Sequence, residues 1–388
     1  MTWKIPLYRV MWDNEDIKAI SDVIRRGMDW AIGPEIEEFE NALAKYVGTE
    51  YCLTFNSGTS AGHAALIAIG IKPNDEIVLP SFTFIATANW PLMVKASPKF
   101  VDIEEETLGL DPLLVENAIK KNTKAVIPVH YGGLPSSIEE ITQITKKKRI
   151  YLIEDAAESL GASVKKKKVG TFGDLAILSF AGNKVLTTGE GGAILTNSKK
   201  LFEKLKLIRS HGRSINQNYF SSNEIPHYTE LGYNWRMSSM TAALGLSQLT
   251  KFEKLISLRR KNAKYLSDRL SKFHEIKVPN EPQNYRHVYQ LYSIRLSNPS
   301  TRKKLQLFLT KRRIMSKIFF QPVHLTNFYK KSVYGTQNKL PMTERIFGEI
   351  LTLPMYPTLK KEELDLICDT IGEFIESKDN KNLIKTSP

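Results

Sequence analysis

The first half of the chain alternates between amphipathic helical spacing and short apolar runs. Apolar residues at Ile17, Ile20 and Val23 predict a helix over 14–26, and a similar pattern predicts one over 35–47. Seven β-rich runs follow, separated by helical patterns: Tyr51–Phe55, Glu76–Pro80, 99–101, 125–128, 150–153, 176–180 and 193–196. This alternation predicts an α/β domain built on a mostly parallel, seven-stranded sheet covered by helices.

The second half has a different pattern. Residues 202–208 predict a helix, and the polar stretch 210–228 predicts a long surface loop. Residues 239–274 predict one long helix that bridges two domains, with the boundary near Lys251. Further on, 289–296 and 315–320 predict strands, 300–312 and 360–375 predict helices, and the polar tail 377–388 is expected to fray. We therefore expect a large domain over residues 1–250 and a smaller α+β domain over 251–388.

Composition narrows the class of protein. The chain has 388 residues, of which 42% are hydrophobic and 25% charged, as in globular proteins. No apolar run approaches the roughly 18 residues that span a membrane, and the first residues lack the apolar core of a signal peptide. The two cysteines, Cys52 and Cys368, are too few for a disulfide framework or a metal cluster. We expect a cytoplasmic protein with no membrane partner and no metal.

The net charge of +14 raises the question of nucleic-acid binding. The basic residues are spread along the chain in short runs, at 146–149, 165–168 and 301–304. No basic-region helix, zinc-ligand spacing or aromatic-interleaved strand accompanies them, so we do not expect a nucleic-acid partner. A basic surface would also steer an anionic substrate toward its site, and a solvated lysine-rich exterior needs no function.

A single lysine, Lys184, lies between the apolar runs 175–180 and 193–196. Burial on such a turn disfavours the ammonium form and leaves the amine free to attack a carbonyl cofactor. Three glycines within residues 189–192 permit close approach of the backbone to a bound group. On this segment alone, an ordinary solvated hairpin lysine remains the alternative.

An aspartate upstream strengthens this hypothesis. The apolar run 150–153 ends abruptly in acidic residues that include Asp155. A carboxylate at the end of a buried strand lies where open α/β sheets place ligand contacts. Pyridoxal phosphate needs a lysine for its aldehyde and an aspartate that keeps its pyridine nitrogen protonated. For Asp155 alone, the cap of a helix N-terminus is an equally good interpretation.

A candidate phosphate turn lies nearer the N-terminus. The strand Tyr51–Phe55 is followed by a Ser/Gly/Thr turn at 56–60 and by an Ala/Leu-rich helix over 61–70. A helix that begins after such a turn offers free backbone amides and a favourable dipole to an anion. Such turns also occur where no phosphate binds.

Aromatic and histidine candidates follow two further strands. Phe82 and Phe84 come after Glu76–Pro80 and offer an aromatic face for a flat ring, although core packing is the alternative and the preferred interpretation for Phe82. His130 follows the run 125–128. A histidine satisfied by loop backbone is the preferred interpretation there.

Together these features make the chain resemble the DegT/DnrJ-type sugar aminotransferases, which are pyridoxal-phosphate enzymes of the aspartate aminotransferase fold (fold type I). The resemblance extends over nearly the whole chain, from about residue 5 to about residue 370. The block Ser179-Phe180-Ala181-Gly182-Asn183-Lys184 resembles the perosamine synthase-like branch most closely. The matching segments are 33–34, 39–40, 56–60, 75–78, 129–133, 154–158, 170–174, 179–192, 232–237 and 322–324.

The resemblance implies a set of cofactor contacts. Lys184 would bond to the aldehyde of pyridoxal phosphate and later act as the base that moves a proton. Asp155 would hold the proton of the pyridine nitrogen, and Glu158 would contact the ring's 3-oxygen or orient Asp155. The other cofactor-binding residues implied are Gly58, Thr59 and Ser179 at the phosphate, Asn183 beside the lysine, Phe84 against the ring, and Asn234 reaching the phosphate across a dimer interface.

The resemblance also implies substrates and partners. The amino donor would be glutamate and the acceptor a nucleotide-linked 4-keto-6-deoxy sugar, aminated at C4. Trp30, Arg236 and His324 are the implied substrate-binding residues, and the active unit would be a homodimer with shared active sites. Neither the nucleotide nor the sugar is fixed by these motifs, and amination at C3 stays open.

Three rival functions are distinguished from this one by particular residues. The first is a pyridoxal-phosphate sugar dehydratase of the same fold; those relatives carry a histidine where this chain has Lys184. The second is a non-catalytic regulatory homologue, which the complete set of lysine, aspartate, phosphate turn and aromatic residue argues against. The third, a dinucleotide or P-loop site at 189–192, fails because the segment has neither the G-x-G-x-x-G spacing nor a Gly-Lys-Ser/Thr sequence.

Overall fold

The computed structural model describes residues 2–214, 223, 225–332 and 339–377. The predicted frayed tail therefore lies, apart from Ser377, outside the described residues. No helix in these ranges is long and apolar enough to cross a membrane. Both cysteines are buried and free.

Nine strands occur within the described residues 2–200, and each of the seven predicted runs overlaps one of them. The strands are β1 Tyr51–Phe55, β2 Glu76–Pro80, β3 Ser97–Val101, β4 Thr123–Val126, β5 Tyr151–Asp155, β6 Ser163–Val164, β7 Lys167–Lys168, β8 Leu175–Ser179 and β9 Gly192–Thr196. Seven of them form one sheet in the order β1-β9-β8-β5-β4-β2-β3. β9 is antiparallel to both of its neighbours, and the other pairings are parallel. The predicted α/β fold with a seven-stranded, mostly parallel sheet is confirmed.

The candidate site residues lie at the end of the sheet where the parallel strands have their carboxyl ends. This end is called the sheet edge below. β5 ends at Asp155 and β8 ends at Ser179. Gly192, the first residue of β9, pairs with Ser179 on one side and with Phe55, the last residue of β1, on the other. Carboxyl ends of parallel strands meet at one edge, which is where α/β sheets bind ligands.

Helices cover the sheet and link it to the rest of the chain. They are α1 Asn14–Arg26, α2 Pro34–Val47, α3 Gly58–Ala68, α4 Ile85–Met93, α5 Pro112–Ala118, α6 Ile138–Lys148, α7 Lys199–Arg209, α8 Ser239–Thr250 and α9 Phe252–Leu270. The helix α3 begins at Gly58, earlier than predicted, because the side chain of Ser57 caps it by accepting the Ser60 N–H at 3.1 Å. Gly58 and Thr59 therefore lie in the first helical turn.

The predicted single helix over 239–274 is wrong. Its pattern divides into α8 and α9 at Lys251, the position where we predicted the domain boundary. The Lys251 ammonium binds the carboxylates of Asp13 and Asp16, at 2.6 and 2.8 Å. The break therefore coincides with an ionic contact between Lys251 and the start of α1. The spacing of apolar residues along the sequence gives no sign of this contact.

The remaining strands and helices lie beyond residue 212. They are β10 Arg213–Ser214, β11 His227–Tyr228, β12 Ile276–Lys277, β13 Tyr285–Arg286, β14 Tyr292–Leu296, α10 Pro299–Lys311, α11 Asn327–Lys330, α12 Pro341–Glu349, β15 Ile350–Leu353 and α13 Lys361–Glu376. β14 pairs with both β12 and β15 in a second, smaller sheet, whereas β13 pairs with β6 of the first part of the chain. The described ends of the predicted loop 210–228 pair as β10 and β11, and residues 215–222 and 224 lie outside the described part.

The predicted strand at 315–320 is also wrong. Those residues make only an isolated bridge, between Lys317 and Thr352. The strand that pairs with β14 is β15, which the sequence analysis missed. Phe319 and Phe320 pack instead in an aromatic cluster with Phe82 and Tyr131, so their apolar character reflects side-chain packing and not a place in a ladder.

Separate apolar clusters lie on the large sheet and on the smaller one. The cluster on the large sheet includes Leu53, Ile77 and Ile177, and the cluster on the smaller sheet includes Ile294, Leu351 and Ile367. The first of them also contains Val323, Tyr329 and Leu340, so residues from the second half of the chain pack on the large-sheet core. The predicted domain division at residues 250 and 251 stays a prediction.

Candidate active site

Lys184 lies in the loop between β8 and β9, with 14% of its side chain exposed. Its Nζ is 3.4 Å from Oε1 of Glu158. The alternative of a solvated hairpin lysine is therefore wrong. The amine is therefore buried beside a carboxylate, in contact with the protein and not with bulk water.

Glu158 is held from its other side by a backbone amide. Its Oε2 accepts the N–H of Gly132 at 2.9 Å. Gly132 has a φ of +62°, a conformation that favours glycine. The contacts of Glu158 therefore place it beside Lys184. Its predicted contact with the ring's 3-oxygen stays a prediction.

Asp155 is the last residue of β5 and is buried. Its Oδ1 accepts the N–H of Ala157 at 3.2 Å, and its Oδ2 accepts the hydroxyl of Thr87 at 2.7 Å. Burial raises the pKa of Asp155, while the bonds from Thr87 and Ala157 and the charge of Lys184 act in the opposite direction. A turn, not a helix, follows Asp155, so the helix-cap interpretation is wrong.

The start of α3 and the end of β8 form a candidate phosphate cradle. A Cβ atom at Gly58 would lie 3.1 Å from the Cβ of Ser179, a tight contact, so the glycine lets these two residues approach closely. The first amides of a helix have no partner within the helix. Gly58 and Thr59 contribute such amides, and Thr59 is exposed. An anion bound there would meet helix N–H groups and the hydroxyl of Ser179.

Phe84 precedes α4 and is 58% exposed, whereas Phe82 is fully buried. The core interpretation of Phe82 is thus confirmed. The ring of Phe84 has Phe320 at 6.0 Å between centroids. An exposed aromatic face beside the sheet edge suits the planar ring of a cofactor.

Asn183 and Lys184 are flanked by a contact that the sequence analysis missed. The side-chain amide of Gln290 donates to the carbonyl of Asn183 at 2.8 Å and accepts the N–H of Val185 at 2.9 Å. Gln290 is buried, and it lies far along the chain from the loop. No local sequence signal announces this contact, because it depends on how the two regions pack.

His130 is fully buried, and its ring bonds neighbouring residues of the protein. Its Nδ1 accepts the N–H of Ser136 at 3.0 Å, so its Nε2 carries the proton and donates to Glu154 at 3.2 Å. Glu154 also accepts the N–H groups of Gly170, Phe172 and Gly173. The preferred interpretation of His130 as a structural residue is confirmed.

Two of the predicted substrate residues, Trp30 and His324, have their hydrogen bonds elsewhere. Trp30 is exposed, and its carbonyl accepts the N–H of Ser239 at 2.9 Å. His324 is buried, and its Nδ1 is 2.6 Å from the hydroxyl of Ser81. That hydroxyl also accepts the backbone N–H of His324 at 3.0 Å, so Ser81 holds both the backbone and the ring of His324. No hydrogen bond among the described residues joins Trp30 or His324 to Lys184, and their substrate roles stay predictions.

Asn234 and Arg236 belong to a surface segment beside the phosphate cradle. The carbonyl of Trp235 accepts the N–H of Asn56, and the rings of Tyr233 and Trp235 stack at 3.9 Å. Asn234, between them, is exposed. Arg236 donates to the hydroxyl of Ser210 at 3.1 Å, and burial together with neighbouring arginines lowers the pKa of its guanidinium. An exposed Asn234 suits contact with another chain, which stays a prediction.

The described residues contain no cluster of histidine, cysteine and carboxylate side chains suited to a metal. The sheet edge instead combines an amine, two carboxylates, an aromatic face and an anion cradle. Those are the groups that a phosphorylated aldehyde cofactor with a basic ring nitrogen requires.

Comparison with known proteins agrees with this chemistry. Residues 11–372 match the sequence profile of the DegT/DnrJ/EryC1/StrS aminotransferase family. The GDP-perosamine synthase of Escherichia coli is 32% identical over 374 residues, covering 96% of this chain and 99% of the enzyme. The UDP-2-acetamido-2-deoxy-3-oxo-D-glucuronate aminotransferase of Pseudomonas aeruginosa is 35% identical over 351 residues, covering 90% and 93%.

Solved structures show the same fold. A putative sugar aminotransferase of Streptococcus pneumoniae in its PMP form has a TM-score of 0.91 and 25% identity, covering 98% of this chain and all of that one. Its PLP form has a TM-score of 0.89 and 26% identity, covering 96% and 98%. These two structures pair the fold with the cofactor in both of its forms.

Proposed function

The chain belongs to the DegT/DnrJ/EryC1/StrS aminotransferase family, and on that premise we propose that it transfers an amino group from glutamate to C4 of a nucleotide-linked 4-keto-6-deoxy sugar. The general activity, that of a pyridoxal-phosphate-dependent sugar aminotransferase, follows from the family and the solved structures. The proposal adds the donor, the position and the class of sugar.

The observation that carries the proposal is the geometry at the sheet edge. Lys184 Nζ lies 3.4 Å from Glu158, on the same edge as the buried Asp155 and the pair Gly58 and Ser179. A lysine at this position also argues against the dehydratase alternative. Three GDP-perosamine synthases match the chain at 32–33% identity, which supports the perosamine synthase-like branch, while the 35% identical 3-oxo-D-glucuronate aminotransferase keeps amination at C3 as the alternative.

The residues fit pyridoxal phosphate, and we assign its contacts accordingly. Lys184 would hold the aldehyde carbon, Asp155 the ring nitrogen and Phe84 the ring face. Gly58, Thr59, Ser179 and the exposed Asn234 of a second copy would hold the phosphate. The bound cofactor supplies an electron sink for negative charge at the reacting carbon.

The reaction then depends on what the chain's own groups do. Lys184 Nζ takes the proton from the donor's carbon and returns one to the sugar carbon that receives the amine. Glu158, fixed by Gly132, keeps that amine oriented toward the site. The Asp155 carboxylate keeps a positive charge at the ring edge, and its burial excludes water from that contact.

The test is a substrate panel. Purified protein is incubated with glutamate and with UDP-, GDP- and dTDP-linked 4-keto-6-deoxy sugars, and with a 3-keto nucleotide sugar as the matched control. Mass spectrometry then reports which sugar gains an amine. Amination of a 4-keto sugar supports the proposal, while amination of the 3-keto control alone contradicts the assignment to C4.

We also propose a homodimer in which each active site uses residues of both chains. The support is that Asn234 is exposed and directly precedes Trp235, whose carbonyl bonds Asn56 of the phosphate turn. Inactive Lys184→Ala chains are mixed with inactive Asn234→Ala chains after verified subunit exchange. One site of each mixed dimer then has neither defect, so activity should return. Activity of a monomer, or no recovery, would contradict the shared site.

A further inference from the structure

Two buried threonines form a hydrogen-bonded chain that ends on Asp155. The hydroxyls of Thr83 and Thr87 are 2.8 Å apart, and that of Thr87 is 2.7 Å from Oδ2 of Asp155. Both threonines are almost completely buried. Neither was singled out by the sequence analysis, and nothing in the proposed reaction uses them.

The direction of the protons in this chain follows from the donors available. An ionised carboxylate only accepts hydrogen bonds, so Thr87 gives its single hydroxyl proton to Asp155. The hydroxyl of Thr87 can then only accept from Thr83, which donates. Both dipoles therefore point at the carboxylate. Hydrogen bonds to a charged group are stronger than neutral ones, and a polarised chain strengthens its last bond further.

We propose that Thr87, supported by Thr83, is a positioning residue that keeps Asp155 ionised and fixes the carboxylate for the ring nitrogen of pyridoxal phosphate. The inference rests on the proposed role of Asp155. A buried carboxylate without donors tends to take up a proton, and a neutral acid cannot hold a positive ring nitrogen. Thr87 offsets that tendency from within the core.

The same short segment also positions the ring's face. Phe84 directly precedes α4, and Thr87 lies in the first turn of that helix, with its N–H bonded to the carbonyl of Phe84 at 3.2 Å. The aromatic contact and the hydroxyl that holds Asp155 are therefore built on one turn. A shift of that turn would move both contacts together.

Charge alone does not replace the hydroxyl. The other charged groups that act on Asp155 are Lys184, which favours its ionised form, and Glu158, which opposes it. Glu158 and Lys184 pair with each other, so their effects on Asp155 partly cancel. The remaining local donors to the carboxylate are Thr87 and the N–H of Ala157.

The experiment uses two matched pairs at position 87. Thr87→Val keeps the shape and removes the hydroxyl, and Thr87→Ser and Thr87→Ala differ from each other only by a hydroxyl. The readouts are the cofactor dissociation constant and the chemical shift of the ring nitrogen in ¹⁵N-labelled pyridoxal phosphate, which reports its protonation. Thermal melting of the apo proteins confirms folding.

We expect Thr87→Val and Thr87→Ala to bind the cofactor at least about tenfold more weakly, the effect of one lost charge-assisted bond. Their ring-nitrogen signal should move toward the unprotonated form, while Thr87→Ser stays near the wild type. Thr83→Val should shift the signal in the same direction by less. If Val or Ala variants keep the wild-type nitrogen signal, or if Ser behaves like Ala, the inference is wrong.

Asp155→Asn separates this inference from its premise. If Asp155→Asn removes the protonated signal and the Thr87 variants do not, only the role of Thr87 fails. If Asp155→Asn also leaves the signal unchanged, the proposed role of Asp155 fails as well. Should Thr87→Val not fold, the Ser and Ala pair decides the question.

Discussion

Asp155 and Lys184 lie on the same edge of the sheet but are held in opposite ways. The partners of Asp155 come from neighbouring elements of the large sheet region: its N–H bonds the carbonyl of Pro128, and its carboxylate bonds Thr87 and Ala157. The loop of Lys184 is held by Gln290, from the far part of the chain. The carboxylate thus belongs to the core of one region, whereas the amine depends on the packing of two.

The remote anchor of Lys184 is itself firmly fixed. The guanidinium of Arg259 donates to the carbonyls of Tyr289, Gln290 and Met355, at 3.0, 3.3 and 3.1 Å. Arg259 is buried and bonds backbone carbonyls, and this burial lowers the pKa of its guanidinium to about 10. Gln290 therefore links the loop of Lys184 to Arg259 of α9, so a movement of α9 would also move this loop.

The largest effect is expected from removing the amine. Lys184→Ala should lose at least about 10²- to 10⁴-fold in turnover, the contribution of a positioned acid–base group, and should lose the covalent contact as well. Borohydride treatment of the wild type should fix the cofactor mass on the peptide that contains Lys184. Lys168, a half-buried lysine of β7, serves as the control through Lys168→Ala, which should keep turnover. Labelling at another lysine would contradict the assignment.

A smaller effect is expected at Gln290. Gln290→Met keeps the length of the side chain but removes both bonds to Asn183 and Val185. Misplacement of a catalytic group by about 1 Å can cost about 100-fold, so we expect turnover to fall by about 10- to 100-fold. The comparison gives a control: the ¹⁵N signal of the cofactor ring should stay unchanged, because Asp155 is held elsewhere. A changed nitrogen signal would mean that the two anchors are not separate.

The same difference explains what the sequence could predict. Lys184, Asp155 and the seven strands were predicted because each depends on a local run of apolar residues with polar residues at its end. Thr87 and Gln290 were missed because their role exists only once distant segments pack. The strand predicted at 315–320 failed for a related reason. Apolar residues there pack on Tyr131, and the ladder partner of β14 lies at Ile350–Leu353.

The smallest expected effect is the coupling free energy between Thr87, which bonds Asp155, and Gln290, which bonds the loop of Lys184. We expect it to be near zero. In the apo protein, Thr87→Val and Gln290→Met should each lower the free energy of unfolding by about 1–3 kcal/mol, because each leaves a buried polar group without its partner. Among the described residues the two networks share no hydrogen bond, so the double variant should equal the sum of the single effects within about 0.5 kcal/mol. Urea unfolding of the four apo proteins measures this, provided that each unfolds in a single transition. A coupling above about 1 kcal/mol would show that Asp155 and Lys184 are held by one connected network. The local and the remote anchor would then differ in their contacts but not in their contribution to stability.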